Sequence, residues 1–245
     1  MTERERILKL LEEGKITADE AVRLLEALAK SSSATEPLRR GVEYVNTLFR
    51  NVFRALPLML KEVMRNPLQE PVDLTWEVAE GFTLRHVGGD LTLRFVPKPQ
   101  AHLKARGYVH QNGQTIEVVS EETLLEFPEH HRFHLELAGG DLHAEGNTAG
   151  GLVEFVGGNL YWHLRQLTGD LEVRGETGDA VFRLPEALFR ELQILARVHQ
   201  GTLHLPQQPP QEDTEWHQQG KGPTLRVKIV FGDLTFQVDP SWAKS

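Results

Sequence analysis

The sequence predicts an α+β protein that is mainly β: an N-terminal helical hairpin and an amphipathic helix, then a glycine-punctuated β-solenoid. Three observations predict it. Apolar residues recur at helical spacing up to about residue 66, they alternate with a period of two from about Val72 onward, and a Gly-Asp-Leu triplet or close variant returns six times in that second part.

The 245 residues are 40% hydrophobic and 7% aromatic, enough apolar material for one or two buried cores. A formal charge of −8 makes a nucleic-acid partner unfavourable. Cys is absent, which removes disulfides, thiol nucleophiles and thiolate metal sites. Seven acids and six bases lie in residues 1–30, four and six in 31–71, so the middle stretch alone is net basic. Glu3, Arg4, Glu5 and Arg6 precede only a short apolar group, unlike an export signal, and no stretch approaches the roughly 18 apolar residues of a membrane span. A cytoplasmic protein is expected, at the inner face of the membrane if one segment contacts lipid.

Residues 1–30 read as two helices. Ile7, Leu8, Leu10 and Leu11 make one apolar stripe, Gly14 stops it, and Thr17 with Glu20 forms a capping box for a second stripe of Ala21, Val22, Leu24, Leu25 and Leu28. So short a hairpin buries little by itself and calls for a partner surface. Residues 31–40, opening Ser-Ser-Ser-Ala-Thr, have the composition of a flexible linker.

Residues 41–71 read as an amphipathic helical connector. Val45, Phe49, Val52, Leu56, Met59 and Val63 follow one another at spacings of four and three, Phe53 widens the stripe, and Arg50 and Arg54 flank it. Pro57 kinks or divides the helix. The stripe suits capping of the solenoid, pairing of two chains, or contact with an anionic membrane surface. Its residues Val45, Phe49, Arg50, Val52, Phe53, Arg54, Leu56, Met59 and Val63 are the candidate interaction site, with a protein partner or self-association expected and membrane contact as the other reading.

Residues 72–245 carry the β pattern. The triplets stand at Gly89-Asp90-Leu91, Gly140-Asp141-Leu142, Gly158-Asn159-Leu160, Gly169-Asp170-Leu171, Gly178-Asp179-Ala180 and Gly232-Asp233-Leu234, each opening a short alternating strand. Between Asp141 and Asp179 the turns recur about every ten residues, the unit of a coiled β-stack. Glycine supplies unusual backbone angles and Asp or Asn caps the turn. Leu192, Ile194, Ala196 and Val198 read as a strand although PEALFRELQ could open a helix, and residues 101–132 fit the repeat poorly.

The stretch ERILKLLEEGKITADEAVRLLEAL, Glu5 to Leu28, resembles the SHOCT-like helical hairpin, and the Gly-Asp-Leu strands from about Leu74 to Val238 resemble the bacterial "putative adhesin" β-solenoid that often accompanies it. The resemblance implies a non-enzymatic protein, linked in some relatives to cell-envelope stress signalling, and transfers no catalytic residue.

Of the chemistry-bearing residues, His130, His131 and His134 in PEHHRFH are the one histidine cluster; they read as a surface turn, with metal binding as the sharper alternative. Outward positions of the strands would expose Arg94, His143, Tyr161, His163, Arg165, Arg174 and Arg183, a solvated face or a ladder for an anion or glycan. No nucleophile elbow, P-loop or dinucleotide fingerprint occurs. No catalytic residue, cofactor or metal is assigned. The expected role is a scaffold or regulatory interaction protein; the alternative is a carbohydrate-binding or carbohydrate-active solenoid.

Overall fold

The computed structural model describes residues 71–239, which form one curled, mainly β sheet of sixteen strands. The expected hairpin and connector, with all nine candidate interaction residues from Val45 to Val63, lie outside the described residues. Four strands open the described part: β1 (Pro71–Glu77), β2 (Thr83–Val96), β3 (Gln100–Asn112) and β4 (Thr115–Pro128). Three coils follow, β5 (Phe133–Ala138) with β6 (Leu142–Thr148), β7 (Gly151–Val156) with β8 (Leu160–Leu167), and β9 (Leu171–Thr177) with β10 (Ala180–Pro185). A single helical turn and a half, α1 (Glu186–Glu191), leads into β11 (Gln193–Val198) and β12 (Thr202–His204), then β13 (Gln211–Glu212) and β14 (Glu215–Gln218). The segment PEALFRELQ therefore does open a helix, and the strand expected at Leu192–Val198 begins directly after it. The last pair is β15 (Thr224–Phe231) and β16 (Leu234–Asp239).

Each coil contributes one strand to each of two wings. The first wing runs β2–β5–β7–β9–β15–β11 and the second β2–β6–β8–β10–β16–β12, all in parallel. β2 belongs to both because it bends at Gly88 and Gly89, and β4 lies parallel to it from Thr115↔Thr83 to Pro128↔Val96. One coil takes eighteen residues from Leu142 to its partner Leu160 and twenty from Leu160 to Ala180. At the two ends the parallel stack gives way to antiparallel strands: β3 and β1 beyond β4, and β13 and β14 beyond β12 and β11. Residues 101–132 fitted the repeat poorly because they combine this antiparallel strand with a rung that doubles back outside β2.

The triplets sort into two corners. Gly89-Asp90, Gly140-Asp141, Gly158-Asn159, Gly178-Asp179 and Gly232-Asp233 all pass from the first wing to the second, whereas Gly169-Asp170 opens β9 at the opposite corner. At the shared corner the glycines stack so closely that a Cβ on Gly158 would lie 1.7 Å from Gly140 O, and Gly158 itself has φ +78°. Only glycine meets both conditions. Beside this column the Asx side chains staple one rung to the next: Asp90 Oδ1 accepts from Asp141 N at 3.0 Å, Asp141 Oδ1 from Asn159 N at 2.8 Å, Asn159 Oδ1 from Asp179 N at 3.0 Å, Asp179 Oδ1 from Asp233 N at 2.8 Å, and Asp233 Oδ1 from Thr202 N at 2.8 Å.

Alternation places Leu84, Leu91, Leu93, Val153, Leu160, Val173 and Ile229 inward, in one core shared by both wings. Along the second wing Ala144, Trp162, Phe182 and Phe236 are aligned partners. Trp162 stacks on Phe182 at 6.2 Å between centroids, and Phe182 on Phe236 at 5.7 Å. Small Ala144 leaves room for the indole, which also stacks on Phe95 at 5.8 Å. Such a column converts a sequence repeat into lateral packing between rungs.

Candidate functional site

Because strand side chains alternate, each wing has an outward face whose rows are fixed by register. On the first wing the row across β4, β2, β5, β7, β9 and β15 is one ion-pair network. Arg85 donates to Glu117 Oε1 at 3.2 Å and to Glu136 Oε2 at 2.9 Å. His134 Nε2 lies 3.0 Å from Glu154 Oε2 and 3.7 Å from Glu136 Oε1. Arg174 donates to Glu154 Oε1 at 3.0 Å and Glu172 Oε1 at 2.7 Å, and Arg226 stands 3.7 Å from Glu172. Glu136 and Glu154 are 5% and 8% exposed, so these carboxylates are largely desolvated and their charge must be met within the network. Burial alone would lower the Arg85 guanidinium, but Glu136 and Glu117 outweigh it and hold its pKa above the ordinary value. In the same row, beside Arg174 in the β9–β15 register, burial, reinforced by Arg197 and Arg174, pushes the Lys228 ammonium down.

The histidine cluster is divided by the turn before β5. His130, His131 and His134 line one concavity of about 700 Å³ together with Glu80 and Phe82. Of the three, His134 alone stands on a strand and faces two buried carboxylates. Sequence reasoning missed Glu136 and Glu154, although they lie eighteen residues apart, the length of one coil, and are direct partners in the β5–β7 register.

On the second wing the structure brings together Arg94, His143, Tyr161, His163 and Arg183 around a groove of about 410 Å³. Arg165 follows on the same outward side of β8, while Arg174 belongs to the first wing. Tyr161 is 40% exposed and lies flat on His143, with centroids 5.0 Å apart and planes 10° apart. Arg94 pairs with Glu145 at 3.1 Å and Arg183 with Asp239 at 2.8 Å, bounding the groove with closed ion pairs. Burial first, then the neighbouring Arg165 and Arg183, lowers the His163 pKa, so this ring is held neutral. The face therefore offers a flat aromatic surface edged by guanidinium groups. Among the described residues no helix is long and apolar enough to cross a membrane.

A solved structure from Clostridium sporogenes ATCC 15579, described as a "putative cell adhesion protein", is similar with a TM-score of 0.48 and 14% identity over 69% of this chain and 100% of the other. A second, a "putative adhesin" from Bacteroides fragilis NCTC 9343, gives a TM-score of 0.27 and 11% identity over 69% of this chain and 98% of the other. No curated protein is similar in sequence. Residues 2–33 match the family model of the SHOCT-like domain, so the N-terminal stretch is similar to that domain over the whole of the segment whose motifs suggested it.

Proposed function

We propose that this chain is a non-enzymatic scaffold or regulatory interaction protein, acting at the cytoplasmic face of the membrane in the response to envelope stress. The observation that supports this reading best is the laterally stapled sheet. Its side-chain rows are set by hydrogen bonds from rung to rung, which makes two broad, rigid surfaces suited to presenting groups to a partner. The groove around Tyr161 is the contact surface of the β part. The second contact is the connector, with Val45, Phe49, Val52, Phe53, Leu56, Met59 and Val63 as its apolar stripe and Arg50 and Arg54 facing lipid headgroups or a second chain. A carbohydrate ligand, the alternative, finds a stacking surface in Tyr161; it ranks second because Glu145, the groove's acid, is already paired with Arg94, and the groove's Arg183 with Asp239.

The test uses the full chain with Phe49→Glu and Phe53→Glu together. Flotation with anionic vesicles is expected to fall about tenfold or more, or the mass in solution to drop to that of a single chain, while the β circular-dichroism signal stays constant. A double variant with unchanged flotation and unchanged mass would show that the stripe has no such role.

A further inference from the structure

We propose that His134, Glu136 and Glu154 form a binding site for one divalent first-row transition ion of the zinc class. Each carboxylate divides its oxygens between two tasks. Glu136 gives Oε2 to Arg85 and turns Oε1 toward His134 Nε2, and Glu154 gives Oε1 to Arg174 and turns Oε2 toward the same nitrogen. The three inner atoms lie within 4.8 Å of one another. An ion bound at about 2.0–2.2 Å holds neighbouring ligand atoms roughly 2.9–3.4 Å apart, and the imidazole nitrogen stands 3.0 and 3.7 Å from the two oxygens. The two nitrogen–oxygen separations need shifts of only a few tenths of an ångström, and the two oxygens, at most 4.8 Å apart, must close to the same spacing for the cluster to become a ligand shell.

The donor chemistry selects the metal class. One imidazole nitrogen with two carboxylate oxygens is softer than the all-oxygen sets of magnesium and calcium, and it leaves coordination positions for water. The two arginines orient the ligating carboxylates through their outer oxygens, the role that hydrogen-bond partners outside the ligand shell have in metal sites. Glu117, Glu136, Glu154 and Glu172 are matched in number by Arg85, Arg174, Arg226 and Lys228, the register partner of Arg174, so the site would take an ion through its ligand geometry and not through an excess of negative charge. The competing reading of the same contacts is an ion-pair network that holds no metal. The inference stands apart from the interaction reading, since it uses no residue of the connector or the Tyr161 groove.

Zinc titrated into the metal-free full chain at pH 7.5 and followed by calorimetry, with cobalt absorption as a second readout, decides between them. One equivalent is expected to bind, with affinity reduced in His134→Gln and in Glu154→Gln by at least the roughly 10–100-fold that loss of even a partner outside the ligand shell causes, each variant checked for native circular dichroism. The pair His130→Ala and His131→Ala, which removes the exposed histidines of the turn, is expected to bind as the parent does. Either of the two ligand variants suffices should the other fail to fold. Absence of stoichiometric binding in the parent, binding that survives in a folded ligand variant, or binding lost with His130 and His131 would each overturn the proposal.

Discussion

His86 shows what a single residue costs when the repeat places it inward. Its side chain is fully buried, Nε2 lies 3.1 Å from Thr123 Oγ1, and Nδ1 has no partner. Burial, opposed weakly by Asp90, pushes the pKa down to about 4 from 6.5. The unfolded chain therefore takes up a proton at higher pH than the folded one. Stability from this group is complete above about pH 6.5 and declines as pH falls toward 4. The linkage amounts to about 2–3 kcal/mol by pH 4.5. Urea unfolding at pH 7.5 and 4.5 should show the parent losing about that much more than His86→Leu; equal losses would mean that His86 is solvated in the folded state. The sequence did not mark this histidine, because the inward phase carried by Leu91, Leu93 and Phe95 changes across Gly88 and Gly89, and before that point only Leu84 shares the inward face with His86. Tyr161 and His143, by contrast, were legible as outward residues from alternation alone.

At the scale of elements, the glycine corner is where local backbone geometry and neighbour contacts coincide. Gly158→Ala must relieve both a positive φ and a 1.7 Å approach to Gly140 O, so it is expected to destabilise by about 3 kcal/mol or more. Asp179→Ala removes only the acceptor for Asp233 N, with an expected cost of about 1–2 kcal/mol. Denaturant unfolding of the two variants checks the order, and equal effects would show that the side-chain staple matters as much as the glycine. These corners were the most readable part of the sequence, since Gly followed by Asp or Asn states both requirements within two residues. Which corner a triplet occupies was not readable: Gly169-Asp170 has the same letters as Gly178-Asp179 but sits across the coil, because a strand and its turn take about the same length on either wing. The carboxylates around His134 were hidden for a related reason. Glu136 and Glu154 look like ordinary outward acids until a coil length of eighteen residues sets them side by side.

In the whole described stack, chain order and spatial order disagree at both ends. β2 lies between β4 and the β5–β6 coil, and the β15–β16 pair fits between β9–β10 and β11–β12. Residues 224–239 are thus an interior rung: β15 pairs with β9 and β11, and β16 with β10 and β12. A chain ending at residue 223 is expected to unfold at lower urea than the full chain and to become protease-sensitive from β11 to β14; an unchanged unfolding curve would show that the rung is dispensable. No repeat motif could foretell this placement, because the Gly-Asp-Leu signature at residue 232 is the same whichever slot its strands fill. The interior rung also orders events in time. On the ribosome, β9 and β10 and later β11 and β12 leave the exit tunnel with their facing edges bare, and each edge waits for a segment not yet translated. Until residues 224–239 emerge, the nascent chain carries four open strand edges, two on each wing, and such edges are where aggregation starts.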